Sequence, residues 1–81
     1  MPHKLRRVSG KDLIRHLLKE GLSILRQNSS HVRLEKITSI SSYRITVPLH
    51  KEIDRGTLKS IVRSLEKCLS SEKIREIFYT K

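Results

Sequence analysis

Apolar residues recur along this chain with two periods, and the changes of period divide it into elements. Leu13, Ile14, Leu17 and Leu18 repeat at the spacing of one helix face, with Lys11, Arg15, His16 and Lys19 between them. Ser9 stands where a helix N-cap belongs, and Asp12 follows three residues later in a capping-box arrangement. The acidic side chain also suits the positive end of the helix dipole. Gly21 is placed to supply the left-handed residue that ends a helix, with Leu22 as the apolar contact after it. Residues 22–27 contain no glycine or proline and read as a first strand. Its facing is ambiguous, because Leu22, Ile24 and Leu25 cannot all share one face of a period-2 strand. Asn28-Ser29-Ser30 then makes a tight polar corner, since Asn and Ser side chains bond nearby backbone in turns.

Residues 31–36 read as a second strand. If Val32 and Leu34 point into a core, His31, Arg33 and Glu35 point away from it. Residues 38–42, rich in Ser and Thr, form a hairpin loop. Tyr43, Ile45 and Val47 alternate with Arg44 and Thr46 in a third strand of high β propensity. Pro48 lacks an amide donor and ends or edges that strand. A polar connector carries His50 and Lys51. Asp54 or Thr57 caps the next helix, whose stripe is Leu58, Ile61, Val62, Leu65 and Leu69, with Lys59, Arg63 and Lys67 opposite. Cys68 lies beside the stripe as a small buried hydrophobe. Ser70 or Ser71 restarts a short last helix bearing Ile74, Ile77 and Phe78. The expected class is α+β, in the order α-β-β-β-α with a short extra helix. A three-stranded antiparallel sheet with its helices on one face buries these stripes and leaves the other face open.

Composition narrows what that open face is for. The 81 residues suffice for one domain spanning 1–81, and a chain this short buries only roughly 60% of its unfolded surface. With one Phe, two Tyr and no Trp, the core has to be Leu, Ile and Val. Lys and Arg number 18 against 8 Asp and Glu, a formal net charge of +10. A surplus of this size implies an acidic partner, such as a nucleic acid, an anionic membrane surface or an acidic protein. No apolar run approaches the roughly 20 residues that a membrane span requires, and no apolar segment of a secretory signal follows the basic start. One cysteine allows neither an internal disulfide nor a cysteine metal cluster, and a reducing cytoplasm is the simplest compartment. Residues 1–8 read as a basic surface arm whose Lys4, Arg6 and Arg7 either contact phosphates or lie solvated.

The candidate chemistry follows by elimination. His3, His16, His31 and His50 are scattered, without a metal-ligand spacing, so no metal or cofactor is expected. Gly10, Gly21 and Gly56 stand too far apart for a phosphate loop. Nothing points to a Ser-His-Asp triad. What remains is histidine among basic residues, which suits cleavage of RNA. Without a metal, that reaction needs a base for the ribose 2′-hydroxyl proton, an acid for the leaving oxygen and cations for the charge that builds on phosphorus. Imidazole titrates near pH ~6.5 and serves in either proton role, while Arg and Lys supply the electrostatic part. His31, with Arg26, Arg33 and Arg44 nearby, is the candidate group. The bland alternative is a polar strand residue. His50 is a second proton-transfer group, a structural residue at the helix start or an incidental loop histidine, and Cys68 beside the apolar stripe suits an inert thiol.

Short segments in one order carry a resemblance. They are Val8-Ser9-Gly10-Lys11, Gly21, Arg26-Gln27, Ser30-His31-Val32, Thr46-Val47-Pro48-Leu49-His50 and Gly56-Thr57-Leu58-Lys59-Ser60-Ile61. In these the chain resembles the HicA-type mRNA interferase toxins of prokaryotic toxin–antitoxin systems. The resemblance implies a double-stranded-RNA-binding-domain-like fold and an endoribonuclease that cuts mRNA. It also implies a cognate HicB-type antitoxin that masks the catalytic histidine. That histidine falls on His31, the neighbouring serine of the family motif on Ser30, and a second motif histidine on His50. Lys11 and Lys59 at the helix starts join Ser30, Arg26, Arg33 and Arg44 as expected substrate contacts. Two departures stand out. Ser29 occupies a position where the family usually has glycine, and a serine there is strained if that position needs positive φ. Glu66, Lys67 and Cys68 replace a glycine turn and are expected to continue the second long helix.

Two other functions fit the same charge and topology. One is a non-catalytic RNA-binding module, for which binding is salt-sensitive and cleavage absent. The other is an interaction protein whose main partner is an acidic protein. DNA reading is disfavoured, since neither long helix sits in a helix-turn-helix arrangement.

Overall fold

The structure, a computed structural model, describes residues 4–79. His3 and the other terminal residues of the basic arm lie outside the described residues. The elements run α1 (Gly10–Lys19), β1 (Ser23–Gln27), β2 (His31–Ile37), β3 (Ser42–Pro48), α2 (Arg55–Leu65) and α3 (Ser71–Phe78).

Each helix begins on a side-chain cap that satisfies an amide with no partner inside the helix. Ser9 Oγ accepts from the Asp12 amide at 3.1 Å, Asp54 Oδ2 from Thr57 at 3.0 Å, and Ser70 Oγ from Lys73 at 3.2 Å. Asp54 rather than Thr57, and Ser70 rather than Ser71, are therefore the caps. Helix α1 closes on Gly21 at φ +91°, with the Leu22 amide reaching back to the Leu17 carbonyl at 3.2 Å and the Gly21 amide to Leu18 at 3.3 Å. This is the double bond pattern of a glycine-terminated helix.

Helix α2 is shorter than its apolar stripe suggests. It stops at Leu65, and Glu66, Lys67 and Cys68 turn instead of continuing it. The Lys67 and Cys68 amides bond three residues back, to Ser64 at 3.4 Å and Leu65 at 2.9 Å. That tighter winding turns the chain with no positive-φ residue, which is how a segment without glycine manages the reversal. Leu69 and Cys68, both half-buried, pack against the core from this turn.

The sheet is antiparallel in the order β1-β2-β3, with the helices on one face. Val32 and Leu34 of β2 and Ile45 and Val47 of β3 meet Leu13, Leu17, Leu58, Leu65 and Phe78 in the core. Strand β1 buries no side chain at all. Leu18, expected on the apolar stripe of α1, is 44% exposed, so the contact face of α1 narrows to Leu13, Ile14 and Leu17. The basic arm is pinned from Leu5 onward. Leu5 bridges to Tyr79, the Arg6 amide donates to Phe78 O at 2.6 Å, and the Arg6 guanidinium donates to Tyr79 O at 3.2 Å. Arg6 therefore clamps the chain ends together, and Arg7 reaches towards Glu52 at 4.0 Å on the surface.

The ambiguity of the first strand resolves as a β-bulge. Leu22 enters the core before the strand starts, and Ile24 pairs with Leu34 on the helix-covered side. The register then slips, so that Leu25 and Arg26 together oppose Arg33. The result is an α+β, double-stranded-RNA-binding-domain-like fold with one sheet face open.

Candidate active site

Residue register assigns the open face. Paired residues share a side of a sheet, so Arg26, Arg33 and Thr46 form one row across the three strands, and Glu35 with Arg44 forms the next. His31 opens the face at the corner end, opposite Pro48. The bulge at Leu25 is what turns Arg26 onto this side, because an unbroken alternation from Ile24 would send it towards the helices. Arg33 is steadied by Thr46 Oγ1 at 3.1 Å. Arg44 covers Glu35, the acid of this face, at 3.0 Å. The face keeps a positive surplus along Arg26 and Arg33, beside an exposed imidazole.

The corner is closed by the side chain of Asn28. Two-residue hairpin turns ordinarily need positive φ. Among the described residues only Gly21 adopts it, so Ser29 carries no such strain. Instead Asn28 Oδ1 accepts from the Ser30 amide and the His31 amide, each at 2.8 Å, and the Asn28 amide donates to His31 O at 3.0 Å. Ser30 Oγ lies 3.1 Å from Asn28 Oδ1 and 2.8 Å from His31 Nδ1. The other ring nitrogen of His31 has no hydrogen-bond partner among the described residues.

A close backbone approach holds the start of α1 to this end of the sheet. The Leu49 amide donates to Ser30 O at 2.8 Å, and the Gly10 amide donates to His50 O at 2.9 Å. A Cβ on Gly10 would lie 2.1 Å from Pro48 O. Lys11 follows directly, exposed at the same end of the molecule. On the far side of β3, Arg33, Arg44, Thr46, Thr57, Ser60 and Ser64 line a shallow cleft of about 240 Å³ between the open face and α2. Two guanidinium groups and four hydroxyls suit an anionic, hydrogen-bond-accepting chain. Among the described residues, no cluster of three His, Cys, Asp or Glu side chains could hold a metal, and no helix is long and apolar enough to cross a membrane.

A family model described as the HicA toxin of bacterial toxin–antitoxin systems matches residues 10–67. The chain belongs to the HicA toxin family. The match covers α1 through the turn after α2 and leaves out α3. No match was found among curated proteins or solved structures. As a HicA toxin, the protein is the toxin half of a toxin–antitoxin pair.

Set against the sequence expectations, this HicA toxin brings His31, Ser30, Arg26, Arg33 and Arg44 onto one face or its edge. Ser30 is engaged with its neighbours Asn28 and His31. Lys59 is exposed on α2 but does not line the cleft. His50 is exposed, and its backbone carbonyl accepts from the Gly10 amide at the start of α1. Sequence reasoning took Asn28 only as a turn residue. Its signal was the Asn-x-Ser spacing, in which a side-chain carbonyl meets the amide two residues on. The hydroxyls of Thr57, Ser60 and Ser64 were also missed. Their helical spacing is visible, but their place beside Arg33 depends on how α2 packs.

Proposed function

We propose that this HicA toxin is a metal-independent endoribonuclease that cuts mRNA in the cytoplasm, with His31 as the proton-transfer group. The observation that carries the reading is the exposed imidazole, held through one nitrogen and open at the other, at the head of the Arg26–Arg33 row. The imidazole takes the ribose 2′-hydroxyl proton, and the 2′-oxygen forms a bond to the adjacent phosphorus. The bond from phosphorus to the 5′-oxygen breaks, and that oxygen takes up a proton. The products are a 2′,3′-cyclic phosphate and a 5′-hydroxyl. Arg33 and Arg26 stabilise the charge that builds on phosphorus. The flanking backbone lies along the hydroxyl-lined cleft towards Arg44, and Lys11 holds it at the corner end. Contacts of this kind recognise phosphates and shape, so sequence preference is loose.

The antitoxin is proposed to be of the HicB type, presenting acidic groups to the same positive face and so masking His31. The test is cleavage of RNA by purified protein and by His31→Ala, with and without EDTA. Cleavage that survives EDTA and disappears in the variant is expected, since a positioned proton-transfer group contributes roughly 10²–10⁴-fold. Equal cleavage by the variant overturns the reading. Salt-sensitive binding with no cleavage by the folded parent replaces it with a binding module.

A further inference from the structure

We infer that Asn28, acting through the Ser30 hydroxyl, holds His31 in the tautomer protonated on Nδ1 and so leaves Nε2 as the proton acceptor. The tautomer rests on geometry alone; its catalytic consequence rests on the proposed ribonuclease activity of His31.

The assignment follows from counting protons. Asn28 Oδ1 accepts from two backbone amides, Ser30 and His31, each at 2.8 Å. Those donors fix which end of the Asn28 amide is the oxygen, because the NH₂ group in its place would face two N–H groups. An amide oxygen carries no proton. Ser30 Oγ donates to Asn28 Oδ1 at 3.1 Å, the third and longest bond on that oxygen. A hydroxyl has one proton to give. Ser30 Oγ, 2.8 Å from His31 Nδ1, is then left to accept, and Nδ1 has to carry a hydrogen. The opposite tautomer would turn the Ser30 proton to Nδ1 and give up the bond to Asn28 Oδ1. In the neutral ring the remaining lone pair is on Nε2, the nitrogen with no partner among the described residues.

This gives the corner a use beyond turning the chain. Asn28 closes the turn and, through the same oxygen, orients the hydroxyl that sets the imidazole. Asn28 and Ser30 are positioning residues, because neither has to touch the reacting atoms. The same side-chain oxygen that dispenses with a positive-φ residue at Ser29 also organises the base.

Nitrogen-15 NMR of the imidazole, recorded above the pH at which His31 titrates, reads the tautomer without reference to activity. In the parent, a protonated Nδ1 and an unprotonated Nε2 are expected. Ser30→Ala removes the hydroxyl while keeping both amide bonds to Asn28, so the corner stays folded and the signals move towards the other tautomer. Its kcat is expected to fall, by less than the roughly 10²–10⁴-fold that the base itself contributes, with KM little changed. Asn28→Asp keeps an oxygen acceptor and is expected to retain the Nδ1 proton. A parent protonated on Nε2, or a Ser30→Ala spectrum identical to the parent's, overturns the inference. If instead His31→Ala cuts RNA as well as the parent does, the ribonuclease reading fails, and the spectrum still decides the tautomer.

Discussion

Replacing Gly10 by alanine tests whether the start of α1 is locked to the end of β3. The added Cβ would lie 2.1 Å from Pro48 O, 2.9 Å from Leu49 Cα and 3.0 Å from Pro48 C. Ordinary contact begins at 3.4 Å, so the shortfall is about 1.3 Å. All three neighbours are backbone and cannot swing aside as the end of a side chain would. They are also held from behind, by the Leu49 amide on Ser30 O at 2.8 Å and by the pairing of Pro48 with His31. The start of α1 therefore has to withdraw. Overpacking of this kind costs about 1–3 kcal/mol. Stretching the bond from the Gly10 amide to His50 O removes about 1 kcal/mol more. Alanine returns less than ~1 kcal/mol of helix propensity. A net loss of about 1–3 kcal/mol is expected. In a domain of this size, each 1 kcal/mol moves the melting temperature by roughly 4–8 °C, so a fall of about 4–24 °C follows.

Gly56→Ala is the matched control. Its Cβ would meet Asp54 Oδ2 at 3.4 Å, an ordinary contact, at an exposed position without positive φ. Restricting the unfolded chain there should add about 0.4–1 kcal/mol of stability. Urea titration and thermal melting of both variants decide the matter. Opposite signs are expected from one chemical change. A Gly10→Ala protein as stable as the parent would refute the close approach, and with it the account of what holds Lys11 beside the corner.

Asp54 makes acid stability depend on the α2 cap: bonds from the Thr57 amide and hydroxyl hold its carboxyl below the ordinary value of 3.8. A depressed folded pKa means the cap's contribution is present above the unfolded value and lost as pH falls through the folded one. Urea midpoints below about pH 4 should therefore fall more steeply for the parent than for Asp54→Asn, and parallel curves would count against it. Burial raises the Cys68 thiol, outweighing the opposing charge of Lys36, so alkylation near neutral pH should be several-fold slower in the folded protein than in urea. Equal rates would place Cys68 in solvent. Deleting Leu25 leaves Ile24–Leu34, Arg26–Arg33 and Gln27–Val32 as an unbroken ladder, so the shortened chain should hold the parent's stability to within ~1 kcal/mol. A collapse in the urea midpoint would show that the bulge residue is needed.

What the sequence made legible was the local part. The stripes of α1 and α2 without Leu18 and Leu69, the Ser9 cap and the inward pair Val32 and Leu34 each rest on residues within a few positions of one another, and each appears where the spacing puts it. The conflict among Leu22, Ile24 and Leu25 was also visible, but its resolution was not. A bulge is chosen by the partner strand, and whether Arg26 faces the helices or the open side is settled only when Arg33 finds two residues opposite it. The end of α2 was hidden for a similar reason. Leu69 continues the helical spacing, yet the chain has to turn at Leu65 to bring Ile74, Ile77 and Phe78 back onto the same core. Ser29 shows a substitution read in isolation from its neighbour. Against a family glycine it signals strain, but the strain exists only if the turn is closed by backbone alone. Asn28 closes it with a side-chain oxygen, and two amides that a positive-φ turn would leave to the backbone are taken up there. The residue that relieves Ser29 thus also reaches the histidine, so the glycine-free turn and the Asn28–Ser30–His31 chain rest on one side-chain oxygen.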